Sequence, residues 1–141
     1  MTDTKLIELA MEARKNAYTP YSGFRVGAAL LAQDGRVFTG CNIESASYSP
    51  TNCAERTALF KAVSEGATRF EAIAVVGGPA GEEDSLSRYA APCGVCRQML
   101  YEFCPEGELR VILAKNPRDY RQYLLKELLP LAFVGDALRD C

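Results

Sequence analysis

Residues 53–76 read CAERTALFKAVSEGATRFEAIAVV, and this stretch decides the fold class. Thr51 or Asn52, just ahead of it, has a side chain suited to the free N–H groups of a helix start, and Gly66 suits a helix end. A helix from Cys53 to about Gly66 is expected. Glu71 to Val76 then forms a short, nearly continuous apolar run, the pattern of a strand buried on both faces. Helices separated by single buried strands indicate layered α/β architecture with a mixed sheet.

The rest of the chain extends that pattern. Upstream, Leu6, Leu9, Ala10, Ala13 and Ala17 stand at helical spacing within residues 3–17. Tyr18 to Gly23 forms a loop, Phe24 to Ala32 a strand, Asp34-Gly35 a hairpin turn and Arg36 to Cys41 the returning strand. Residues 42–52 form a polar loop. Downstream, Gly77 to Ala91 is a long loop rich in Gly, Ser and acid. Pro92 precedes a helix over about Cys93 to Phe103. Leu109 to Ala114 is a second buried strand, Tyr120 to Leu124 an edge strand, and Lys126–Leu129 and Asp136–Arg139 are helical turns. Nothing divides the chain, so residues 1–141 are read as one domain.

Bulk properties narrow the function. The 141 residues carry a net charge of −2 with no basic run, which disfavours a nucleic-acid partner and suits a substrate without phosphates. No apolar run approaches the roughly 20 residues that span a membrane, and no signal-peptide pattern opens the chain. A cytoplasmic location is expected. The chain has no histidine, which removes the Ser-His-Asp and Cys-His nucleophile systems and leaves thiolates and carboxylates to hold any zinc.

The chemistry concentrates in Cys53-Ala54-Glu55 and Pro92-Cys93-Gly94-Val95-Cys96. Cys93 and Cys96, three apart at a helix start, lie on one face. Cys53 opens the other helix. The partial positive charge of a helix N-terminus favours thiolates, so two such termini meeting in space present three thiolates to one ion. Three ligands leave the fourth tetrahedral position to water, as in catalytic zinc. Glu55 stands beside the metal, free to move protons. Zinc with three thiolates carries a formal charge of −1, and Arg56 is placed to offset it by donating to ligand sulfurs. A Cys-x-x-Cys pair alone also suits a redox motif or half of a structural zinc site. A structural site wants a fourth ligand at similar spacing, which Cys41, Cys104 and Cys141 do not supply. Those three are read as small buried apolar residues.

On these residues the chain resembles the small, homotetrameric cytidine deaminases along nearly its whole length. Cys-Ala-Glu followed by Pro-Cys-x-x-Cys is the signature of zinc-dependent deaminases. Tyr21 to Ala29 looks like the family's first strand and the loop entering it, Gly40 to Tyr48 like its ribose-binding segment, and Glu127 to Phe133 like its C-terminal motif. The resemblance implies a three-layer α/β/α fold on a mixed five-stranded sheet, one zinc ion per subunit, and a homotetramer with shared active sites. It implies hydrolysis of cytidine, and of 2′-deoxycytidine, to the uridine product and ammonia in pyrimidine salvage. A zinc-bound hydroxide would attack C4, with Glu55 as the proton shuttle.

The same resemblance assigns binding roles. Phe24 would stack on the pyrimidine. Asn42 and Glu44 would bond the ribose hydroxyls. The backbone near Ala54, with Glu55, would read the base edge. Ala46, Tyr48 and Phe133 would reach neighbouring subunits' sites. No Lys/Arg cluster in the ribose segment clamps a phosphate, which disfavours nucleotides. One departure is the loop from Gly78 to Ala91, longer than in compact members; it is read as a solvated surface loop, as a cover for the site, or as a segment that alters tetramer contacts. Two other functions are carried forward: deamination of a blasticidin-type nucleoside antibiotic, and a zinc-stabilised module without turnover.

Overall fold

The computed structural model describes residues 1–139, so Cys141 lies outside the described residues. Five strands form one sheet: β1 (Phe24–Ala32), β2 (Val37–Cys41), β3 (Phe70–Pro79), β4 (Arg110–Asn116) and β5 (Asp119–Leu124), in the order β2-β1-β3-β4-β5. The β3–β4 pair is parallel and the others are antiparallel, so the sheet is mixed. The helices are α1 (Asp3–Arg14), α2 (Ala54–Ser64), α3 (Gly94–Glu102), α4 (Leu125–Leu128) and α5 (Asp136–Arg139).

Strand alternation explains the layers. Ala28 and Leu30 of β1, Ile73 and Val75 of β3, and Val111 and Leu113 of β4 face one core with Ala58 and Leu59 of α2 and Leu100 of α3. Their neighbours Ala29, Leu31, Ala72, Ala74, Val76 and Ile112 face the other core, with Leu6, Ile7 and Ala10 of α1. The sheet is thus covered on both faces, as its apolar central strands require. Burying each large aliphatic side chain here stabilises the fold by roughly 1.5–3 kcal/mol. No helix among the described residues is long and apolar enough to cross a membrane.

Two glycines set how close the layers lie. A Cβ on Gly27 would stand 2.1 Å from the Ala10 carbonyl oxygen, so α1 rests directly on β1. A Cβ on Gly40 would stand 2.5 Å from the Ala58 nitrogen, so α2 rests directly on β2.

The structure corrects several expectations. β3 continues past Val76 through Gly77, Gly78 and Pro79, which pair with Val26, Arg25 and Phe24. These residues read in sequence as the start of the long loop Gly77 to Ala91, but the strand needs a small residue at position 77, where a Cβ would press on Ala90 and on the Phe24 ring. The helix α2 is capped by neither Thr51 nor Asn52: Cys53 is the N-cap, and its side chain makes no cap hydrogen bond. Asn52 instead bonds Thr57 and pairs its backbone with Ile43. Cys41 and Cys104 are half-buried, not core residues. The segment after β3 is no free surface loop, since Leu86 is buried in the α1-side core.

Candidate metal centre

Cys53 and Cys93 are the N-cap residues of α2 and α3, both in extended conformation. An N-cap side chain faces the third helical residue. In α3 that residue is Cys96, and the Cys93 and Cys96 sulfurs are 3.6 Å apart. In α2 it is Arg56, whose Nη2 donates to the Cys53 sulfur at 3.4 Å. The Cys53 and Cys93 sulfurs lie 3.8 Å apart, and all three sulfurs fall within 4.8 Å of one another. Among the described residues this is the one group of three or more Cys, Asp or Glu donors that converges so closely.

The arrangement fits zinc. Thiolates about 2.3 Å from a tetrahedral ion stand about 3.8 Å from each other, close to the 3.8 Å between Cys53 and Cys93 and the 3.6 Å between Cys93 and Cys96. Cys96 is buried, Cys53 half-buried and Cys93 exposed, so the cluster is closed on the protein side and open on the other. The thiol of Cys96 holds Cys53 down, to about 5, with the Arg56 guanidinium adding to the effect. The pairing with Cys53, and burial, push Cys96 far up. The Nε of Arg56 is buried without a hydrogen-bond partner among the described residues, while its Nη2 faces Cys53.

Glu55 is the second residue of α2, with 4 % of its surface exposed. Burial pushes its carboxyl above the ordinary value, and the negative Cys53 adds to that. A carboxyl tuned upward suits proton transfer near neutral pH.

A cavity of about 190 Å³ opens beside the sulfurs. Phe24, Asn42, Cys53, Ala54, Glu55 and Cys93 line it, with Val26, Val75, Ala90 and Ala91. The last four were not singled out from the sequence; the small pair Ala90-Ala91 ahead of Pro92, inside a polar segment, is the only local signal. Arg97 was missed too. It donates from Nε to the Pro92 carbonyl at 2.7 Å and from Nη1 to that of Leu128 at 2.6 Å, fixing the approach to Cys93.

Asn42 and Glu44 brace Phe24. Asn42 accepts from Val26 N–H and donates to the Phe24 carbonyl, both at 2.9 Å. Glu44 accepts from the N–H groups of Tyr21 and Ser22 and from the Ser22 hydroxyl, which in turn accepts from Phe24 N–H. These bonds hold the carboxyl of Glu44 below its ordinary value, that from the Ser22 hydroxyl most. Asn42 lies in the cavity, whereas Glu44 lines a separate recess with Tyr21, Ser22, Tyr48 and Thr51. Ala46, Tyr48 and Phe133 do not line the cavity; Tyr48 is 74 % and Phe133 59 % exposed. Tyr48 adopts a left-handed φ of 61°.

The family model for the cytidine and deoxycytidylate deaminase zinc-binding region matches residues 1–112. A cytidine deaminase of Sporosarcina psychrophila is 50% identical over 134 residues, covering 95% of this chain and 93% of the relative. The crystal structure of a cytidine deaminase from Burkholderia pseudomallei superposes with a TM-score of 0.83 at 49% identity, covering 94% of this chain and 100% of that one. A blasticidin-S deaminase of Bacillus cereus is more distant, 31% identical over 132 residues, covering 93% of this chain and 91% of the relative.

Proposed function

The chain belongs to the cytidine and deoxycytidylate deaminase family, and on that premise we propose that it hydrolyses cytidine, and 2′-deoxycytidine with it, to the uridine product and ammonia in pyrimidine salvage. Its domain is a zinc-binding deaminase domain, and the enzyme is a hydrolase that depends on zinc. One observation carries the reading: three cysteine sulfurs converge within 4.8 Å of one another, and two of those residues, Cys53 and Cys93, share a cavity wall with the buried Glu55 and with Phe24.

Cys53, Cys93 and Cys96 would hold the ion. Zinc held there lowers the pKa of a bound water and so supplies a nucleophile at neutral pH. Glu55 moves the protons. It accepts one from the attacking water and delivers it to N3, then accepts the second from the hydroxyl added at C4 and passes it to the amine that leaves as ammonia, as the C4–N bond breaks and the C4 carbonyl forms. Ala54 closes the base edge with its backbone, and Phe24 offers its ring to the pyrimidine. Asn42 has one N–H left over from its backbone bonds and Glu44 one acceptor position, which are offered to the ribose hydroxyls.

The site is completed between subunits of a homotetramer. A cavity of about 190 Å³ is below the roughly 300–1,000 Å³ of small-molecule sites. Ala46 and Tyr48 reach one neighbour's site, and Phe133 closes another's. Residues 1–141 act as one catalytic domain. The setting is the cytoplasm, where the six cysteines stay reduced.

The test is a spectrophotometric assay of the zinc-loaded protein on cytidine and on a blasticidin-type antibiotic. Turnover of cytidine alone, or with strong preference, is expected. Turnover of the antibiotic alone would replace the substrate, and turnover of neither would leave a zinc-stabilised module.

A further inference from the structure

The segment between β3 and α3 joins two anchors. Arg14 grips its start, donating to the carbonyls of Gly78 and Pro79 at 2.8 Å and to that of Glu82 at 2.6 Å. Leu86 is buried, and its N–H bonds the Lys115 carbonyl at 2.9 Å. At the far end Arg97 holds the Pro92 carbonyl. Between these anchors, among the described residues, no main-chain group of residues 88–91 bonds another main-chain group. Yet Ala90 and Ala91 form part of the cavity wall. A Cβ on Gly77 would stand 2.9 Å from that of Ala90 and 3.2 Å from Cε1 of Phe24, so this wall and the ring meet over Gly77.

One side chain holds the stretch. The Tyr89 hydroxyl donates to the Asp119 carboxylate. Its ring lies under Lys115 Nζ, 4.7 Å from the centroid, and under Arg121 Cζ at 4.5 Å. All three partners lie on the β4–β5 hairpin, which contributes no residue to the cavity. Cations over an aromatic face are attracted by its quadrupole, and Asp119 offsets their mutual repulsion.

We infer that Tyr89 is a positioning residue for the pyrimidine pocket: clamped by Asp119, Lys115 and Arg121, it holds Ala90 and Ala91 as the wall that meets Phe24, and so sets nucleoside affinity from a hairpin that never touches the substrate. The inference rests on the deaminase reading above. It changes the role of the long segment from surface loop to pocket wall.

The experiment compares the full-length, zinc-loaded parent with Tyr89→Ala, Tyr89→Phe and Asp119→Asn. It measures kcat and KM on cytidine, uridine affinity by calorimetry, and zinc per chain. Tyr89→Ala should raise KM and the uridine Kd together by about 5–30-fold, with kcat changed far less and one zinc retained. Tyr89→Phe and Asp119→Asn, which remove only the hydroxyl bond, should raise both by about 2–10-fold. Folded variants with the parent's KM and uridine Kd overturn the role of Tyr89. So does a loss confined to kcat or to zinc. Should Tyr89→Ala not fold, the other two decide by the same criteria. A zinc-loaded parent that leaves cytidine untouched overturns the deaminase reading itself, and that result is seen before any variant is made.

Discussion

Arg56 donates its Nη2 hydrogen bond to the Cys53 sulfur across 3.4 Å, as the third helical residue facing its own N-cap. Cys96 faces Cys93 in the same relation on α3. The two helix starts are thus built alike, with an arginine on one standing where a third sulfur stands on the other. Three thiolates around a divalent ion leave one negative charge in excess, and a donor to a ligand sulfur draws off part of it.

Replacing Arg56 with Gln should therefore weaken zinc binding by roughly 10–100-fold and lower turnover with it. Competition with a chromogenic chelator measures the first and the cytidine assay the second. Both unchanged would remove Arg56 from the site.

Glu55→Gln keeps the shape of the side chain but cannot shuttle protons. Turnover should fall by at least about 10²–10⁴-fold, while zinc content and thermal midpoint stay near those of the parent. A Gln variant as active as the parent would show that the buried carboxyl moves no proton in the reaction.

Gly40→Ala puts a methyl group 2.5 Å from the Ala58 nitrogen and 2.6 Å from the Ala54 carbonyl oxygen. The helix α2, with Cys53 and Glu55 at its start, must then lift from β2. Overpacking of this kind costs about 1–3 kcal/mol or more. The urea midpoint should drop, and an unchanged midpoint would contradict the close docking of α2.

Burial pushes the Cys104 thiol up to about 11 from 9.0. The unfolded chain's thiol ionises first as pH rises, so the folded state loses stability from this group between about pH 9 and 11 and none at neutral pH. In the folded protein at pH 8, iodoacetamide should leave Cys104 unmodified, as read by peptide mass spectrometry. Rapid alkylation there would show the thiol to be accessible and ionised.

The elements around the three cysteines are legible in sequence because they are local. Pro92 ahead of Cys93-x-x-Cys96 marks a helix start, and the 3.6-residue repeat brings those sulfurs to one face. The buried runs of β3 and β4 follow from their unbroken apolar character. What failed was non-local. Gly77-Gly78-Pro79 reads as the start of a loop until its pairing with Phe24–Val26 is known. Asn42 and Glu44 brace the Phe24 backbone from residues 16 to 23 positions away, through a loop closed by the Ile43–Asn52 bridge. The clamp on Tyr89 draws on a hairpin whose position depends on the parallel β3–β4 crossover. No spacing rule reaches those contacts.

The most direct test is zinc content measured against cytidine turnover on one purified sample, before and after chelation and after zinc is titrated back. The arrangement of Cys53, Cys93 and Cys96 predicts activity that disappears with the metal and returns in proportion to it, saturating at one zinc per chain. A zinc-free sample that deaminates cytidine at the full rate would contradict it.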